Sequence, residues 1–143
     1  MPANSRTRFF IAALALCLAG GTASADVVAV VSARSPLITL SDNQLADIFL
    51  GRTNRFPDGV TAVPIDQAEG SAARDEFYLK FAGKSPAQVK AHWSKIIFTG
   101  RGQPPGEVAS GLEMKRRIVG NPNAIGYIDQ SQVDGSVRVL LAQ

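Results

Sequence analysis

Cysteine is nearly missing from this chain of 143 residues: Cys17 stands alone, inside the first 25. One thiol excludes an intramolecular disulfide and any metal site built on paired thiolates, so stability has to come from packing. Histidine is as scarce. The only one, His92, sits between Ala91 and Trp93 in a predicted helix and reads as a partly buried surface residue rather than a catalytic base. Aromatics make up 7% of the chain, and Phe49, Phe77, Phe81, Trp93 and Tyr127 fall at core spacings, as packing and not as a cofactor box. No calcium-loop spacing joins Asp66, Glu69, Asp75 and Glu76, and no cofactor or metal is implied. There is no internal repeat and no low-complexity tract.

The beginning of the chain has its own pattern. Arg6 and Arg8 precede an apolar run from Phe9 to Ala19, and Ala23-Ser24-Ala25 is a small-x-small cleavage site. Residues 1–25 are therefore expected to be a secretory signal peptide, with residues 26–143 forming a single domain delivered to the periplasm. The run is short for a membrane span. Leu14-Ala15-Leu16 before Cys17 fits a lipid-attachment signal poorly. With Arg6 and Arg8 set aside, the formal charge of +3 falls to +1. That balance, and the placing of Lys115-Arg116-Arg117 on a predicted helix face, point away from nucleic acid.

Strand and helix signals alternate along the rest. Val27 to Val31 is a continuous β-branched run, read as a strand buried on both faces as in a parallel sheet. Thr61 to Ile65 is a second strand, with Pro64 marking an edge or a departure from the ladder. Ile125 to Ile128 and Val137 to Leu141 are the last two, joined across Asp134-Gly135 as in a hairpin. Helices are expected after Ser41, Ser71, Ser85 and Ser110. The third predicted helix presents Val89, Trp93, Ile96 and Ile97 as its apolar face. Thr99 to Gly106, with two Pro and three Gly, reads as a long loop. The order defines an α/β domain: a small mixed, mainly parallel sheet flanked by helices.

Three of the four helix starts carry a self-capping pair: Ser41 with Gln44, Ser85 with Gln88 and Ser110 with Glu113. At Ser71 the third residue is Arg74, a cation where the helix dipole favours negative charge. A start that combines free N–H donors, a hydroxyl and an arginine suits a bound oxyanion. In the competing reading Arg74 points to solvent or pairs with Glu69 or Asp75. Because ligands of open α/β sheets sit beyond the carboxyl ends of strands, the turn from Asp66 to Ser71 and the segment Ser32 to Ser35 are both candidate positions.

With those residues assembled, the chain resembles the phosphate-binding component of bacterial phosphate ABC transporters, among the type II periplasmic binding proteins. The resembling pieces run in order from Val28 to Val137. They are Leu40 to Gly51, Pro64-Ile65-Asp66 with Gly70 to Phe77, Phe98-Thr99-Gly100 with Pro104-Pro105, and Asn121 to Ile128. Family members have two lobes, and this sequence resembles mainly the second. Where the family has Ser-Gly-Thr or Ser-Gly-Ser, Ser71 is followed by Ala72 and Ala73. The resemblance implies a small oxyanion, most simply phosphate, held by Ser71, the backbone of Gly70 and Ala72, and the Arg74 charge. Asp66 or Glu69 would accept a proton from the ligand. Ser32, Arg34 and Ser35 would approach from the first strand, with Thr99 and Arg101 as further candidates. It also implies an inner-membrane ABC transporter as partner.

Two other functions stay open. One is a ligand-free interaction or sensor module of the envelope that retains the fold, which the Ala72-Ala73 pair favours. The other is a hydrolase using Ser71, against which stand the lack of a nearby base and of a Gly-x-Ser-x-Gly elbow.

Overall fold

The computed structural model describes residues 26–142, so the expected leader at residues 1–25, Cys17 included, lies outside the described part. The chain runs β1 (Val27–Ser32), β2 (Thr39–Leu40), α1 (Asp42–Phe49), β3 (Val63–Gln67), α2 (Ala72–Ala82), α3 (Pro86–Phe98) and β4 (Gly106–Val108). It continues with α4 (Gly111–Gly120), β5 (Ala124–Asp129), a 3-10 turn (Gln130–Gln132), β6 (Val137–Val139) and β7 (Leu141–Ala142). All four expected serine caps are in place. Ser41 and Ser85 close full capping boxes, whereas the Glu113 carboxylate accepts from the Ala109 N–H, one residue ahead of its cap. Among the described residues no helix is long and apolar enough to cross a membrane.

Five strands form one sheet in the order β4-β3-β5-β1-β6, and β2 pairs with β7 in a separate parallel ribbon. β3 is parallel to β4 and β5, while β1 is antiparallel to both β5 and β6. Four strands thus share a direction and β1 opposes them. The β-branched run of β1 is buried on both faces as expected, but burial on two faces reports a central position and not a direction. The expected hairpin between the last two strands does not form. β5 and β6 lie on either side of β1, and Leu141 leaves the sheet to pair with Thr39. The long loop after Thr99 ends in a short strand, β4, which pairs with β3 only from Ile65 onward. Pro64 therefore falls where the β4 side of β3 has no partner and its missing N–H costs nothing.

Alternation along β1 and β5 divides the core. Val27, Ala29, Val31, Ile125 and Tyr127 face α1, α2 and α3, and Val30, Ala124 and Ile128 face α4. On the first side the Phe77 ring stacks on Tyr127 at 4.0 Å and meets Phe49 edge-on at 4.7 Å. From α3, Val89 and Trp93 join this core, but Ile97 stays 50% exposed. On the second side α4 lies close against β5, because Gly126 leaves room for Met114 and Ile118. A Cβ at this position would overlap the Met114 sulfur and stand 3.2 Å from Ile118 Cδ1. Gly126→Ala is accordingly expected to lower stability by about 1–3 kcal/mol through overpacking, read from the midpoint of urea unfolding.

Candidate functional site

The site is built where β3 ends and α2 begins. Gly70, at φ +88°, lets the chain reverse so that the Ser71 N–H donates to Ala68 O (3.1 Å). Ser71 then caps α2, its Oγ accepting from the Arg74 N–H at 3.1 Å. The hydroxyl proton remains available for another acceptor. Among the described residues, no protein acceptor engages the N–H groups of Ala72 and Ala73, and Ala72 is exposed. The start of this eleven-residue helix is open, as the anion reading requires.

Beneath the turn lies a buried acid. Asp66 is 1% exposed and accepts from Tyr78 Oη at 2.6 Å, from Tyr127 Oη and from the Gln67 N–H at 3.0 Å. The Arg74 guanidinium stands 3.8 Å from Oδ2, the oxygen that also accepts from Tyr78. Burial pushes the Asp66 carboxyl above its ordinary value, against the opposing pull of the two phenols, Arg74 and the Gln67 amide. Gln67 ties the group to the sheet: its N–H also meets Tyr127 Oη, and its side-chain amide donates to Tyr127 O at 3.1 Å.

Arg74 has neither of the partners expected from sequence. Its Nη1 donates to Glu107 Oε1 at 2.8 Å and to Gln67 O at 3.1 Å. Glu107 is the register partner of Asp66 on the neighbouring strand, so both carboxylates stand on one face with the guanidinium between them. Every recorded bond of the Arg74 side chain leaves from Nη1, and its guanidinium carbon lies 5.7 Å from the Tyr78 ring centre. Glu69 pairs instead with Lys90 at 3.6 Å. Asp66 accepts three hydrogen bonds and faces the Arg74 charge while buried, so the expected role of accepting a proton from a ligand does not fit it.

The structure does not bring Ser32, Arg34 and Ser35 to this turn. Because β1 runs against β3, its carboxyl end lies at the opposite end of the sheet. There Ser32 Oγ accepts from the Arg34 N–H, Ser35 Oγ from the Leu37 N–H, and Arg34 Nη2 donates to Val119 O at 2.9 Å. These residues brace a loop against the end of α4. Thr99 caps the carboxyl end of α3, with its hydroxyl on the carbonyls of Lys95 and Ile96. Asp66, Gly70, Ser71, Ala72 and Arg74 remain together, joined by Tyr78, Tyr127, Gln67 and Glu107. Tyr78 could have been found as the fourth residue after Arg74, on the same helix face. Glu107 had no signal, because β4 was hidden in a loop rich in proline and glycine.

The fold is similar to part of several solved proteins of phosphate transport. A structure described as a phosphate ABC transporter substrate-binding protein with bound phosphate, from Clostridium perfringens, shares the fold with a TM-score of 0.66. It is 22% identical over 81% of this chain and 44% of its own. An ABC-type phosphate transport receptor from Vibrio cholerae gives 0.64 at 20% identity, over 81% of this chain and 45% of its own. PstS from Borrelia burgdorferi gives 0.57 at 16%, over 82% and 47%. The chain thus spans less than half the length of each of these proteins. No protein-family model and no curated protein matches it.

Tyr78 and Tyr127 are the only tyrosines in the chain, and both are bound to one carboxylate. Burial, then the Asp66 charge and its hydrogen bonds, pushes both phenols well above their ordinary value of about 10. A raised phenol stabilises the fold fully below the unfolded value and loses that contribution as pH rises beyond it. Absorbance at the phenolate band should therefore stay flat past the pH at which free tyrosine ionises, and rise only together with unfolding followed by circular dichroism. A reversible native titration near 10 would contradict the buried geometry.

Proposed function

We propose that this domain is an exported solute-binding module whose Gly70–Ser71 turn and first turn of α2 hold a small oxyanion, phosphate first, for or beside an ABC uptake system. One observation carries the reading: among the described residues no protein acceptor engages the Ala72 and Ala73 amides, at the positive end of a helix and next to an arginine. The amides and the Ser71 hydroxyl supply neutral donors. The remaining N–H groups of Arg74 supply charge-assisted ones. No bond is made or broken, and the main cost is dehydration of the anion. The likeness in fold to a structure holding phosphate supports the choice of ligand.

Charge sets the strength. Asp66 and Glu107 together outweigh Arg74, so a fully ionised anion meets a wall that is net negative. Asp66 is fixed by its phenols, but Glu107 is 49% exposed at its side chain and held by a pair worth about 0–1 kcal/mol. It is the carboxylate that yields. A second reading, an interaction or sensor module without a ligand, is favoured by the same fact that Arg74 already holds protein acceptors.

Calorimetry of the purified protein with phosphate, sulfate and molybdate separates the two. The oxyanion reading expects binding of modest strength to phosphate, and an approximately five-fold gain in Glu107→Gln, which removes the competing charge at a cost within the range of an exposed pair. Absence of heat and of any thermal shift at millimolar anion, in both proteins, would leave the interaction module as the account.

A further inference from the structure

We infer that the ligand of this site is an organic oxyanion, such as a phosphate monoester, whose apolar body lies in the cleft between α2, α3 and β4. The inference rests on the oxyanion reading above and narrows it. Beside Arg74 and Glu107 the surface opens into a cleft of about 250 Å³. A bare tetrahedral oxyanion fills only roughly two to three water volumes, each about 30 Å³, so most of this space lies beyond the anion itself. The cleft adjoins the anion-binding turn through Arg74, flanked by Glu69 and Asp75, which all line it.

The wall away from Arg74 is mainly apolar, with Lys90 and Ser94 as its polar members. Pro86, Val89, Trp93 and Ile97 supply it from α3, with Pro104 from the segment before β4. This explains why Ile97, which the helical spacing assigns to the core, remains half exposed: it faces the cleft. Such a wall gains little from a hydrated inorganic ion and favours an apolar group. Trp93 is 6% exposed, and its indole N–H is the one buried side-chain polar atom without a partner among the described residues. The other edge of its ring is fixed, because a Cβ on Gly51 would stand 2.8 Å from Trp93 Cη2. The indole is thus a packed wall at the edge of the cleft, with its N–H buried. On the rim Glu69 is paired with Lys90 at 3.6 Å, so the apolar wall and not the rim charge sets the preference for an apolar body.

Phenyl phosphate and inorganic phosphate, titrated against the purified protein, test this. Trp93 is the only tryptophan, so its fluorescence reports the cleft directly while calorimetry reports affinity. Phenyl phosphate is expected to bind about ten-fold or more tightly than inorganic phosphate and to shift the Trp93 emission. Ile97→Glu, at a position exposed enough to accept charge without unfolding, is expected to bring the ratio of the two affinities towards one, with circular dichroism confirming the fold. Equal affinities in the unaltered protein would overturn the organic ligand while sparing the oxyanion reading. A ratio untouched by Ile97→Glu would overturn the assignment of the cleft. Phenol binding as tightly as phenyl phosphate would overturn the joint site, since the anion would then contribute nothing. Failure of both phosphates to bind would remove the oxyanion reading and this inference with it.

Discussion

A carboxylate with almost no contact with water has to be paid for by its neighbours, and around Asp66 four residues from three elements do so. Tyr78 arrives from α2, Tyr127 from β5, Arg74 from the first turn of α2, and the Gln67 amide from β3 itself. Removing one partner from such a buried charge is far more damaging than the worth of any single bond. The cluster therefore fixes how α2 leaves the sheet. The same constraint sets the direction of the Arg74 side chain and hence what the open end of the helix can offer a ligand.

Packing and polar chemistry meet on two aromatic residues. Tyr127 stacks on Phe77 with one face while its hydroxyl reaches Asp66. Tyr78 lies edge-on to Phe77 and reaches the same carboxylate from the helix side. Both rings are core residues by burial and site residues by their oxygen atoms. The ligand-facing surface is left to small groups, the amides of Ala72 and Ala73 and the Ser71 hydroxyl. This division makes the support rigid and the surface adaptable, since the carboxylate that pairs with Arg74 from the edge strand, Glu107, is half exposed.

Much of this was legible from the residues in order. The caps at Ser41, Ser71, Ser85 and Ser110 located the starts of the four described α-helices, because a cap is a local hydrogen bond and needs no tertiary knowledge. The α/β class, the resemblance to a binding-protein lobe and the open start of α2 also followed. What escaped was set by pairing across the sheet. Burial of Val27 to Val31 could not tell whether β1 ran with or against its neighbours, and that single reversal moved Ser32, Arg34 and Ser35 to the wrong end. Three residues after two prolines did not announce β4, so Glu107 went unseen as the partner of Arg74. Tyr127 was read as packing because its ring position is a core position, and spacing carries no information about where a hydroxyl points.

The central claim is that the amides at the start of α2 stand vacant for a negatively charged guest. Backbone amide resonances of the isotopically labelled protein, followed while inorganic phosphate is added, address it residue by residue. The account predicts saturable shifts confined to the turn, largest at Ala72 and Ala73 and extending to Ser71 and the Arg74 side-chain protons, with the Ser32 to Ser35 loop unmoved. Amides of Ala72 and Ala73 that hold their positions while resonances elsewhere move, or while none do, would contradict it.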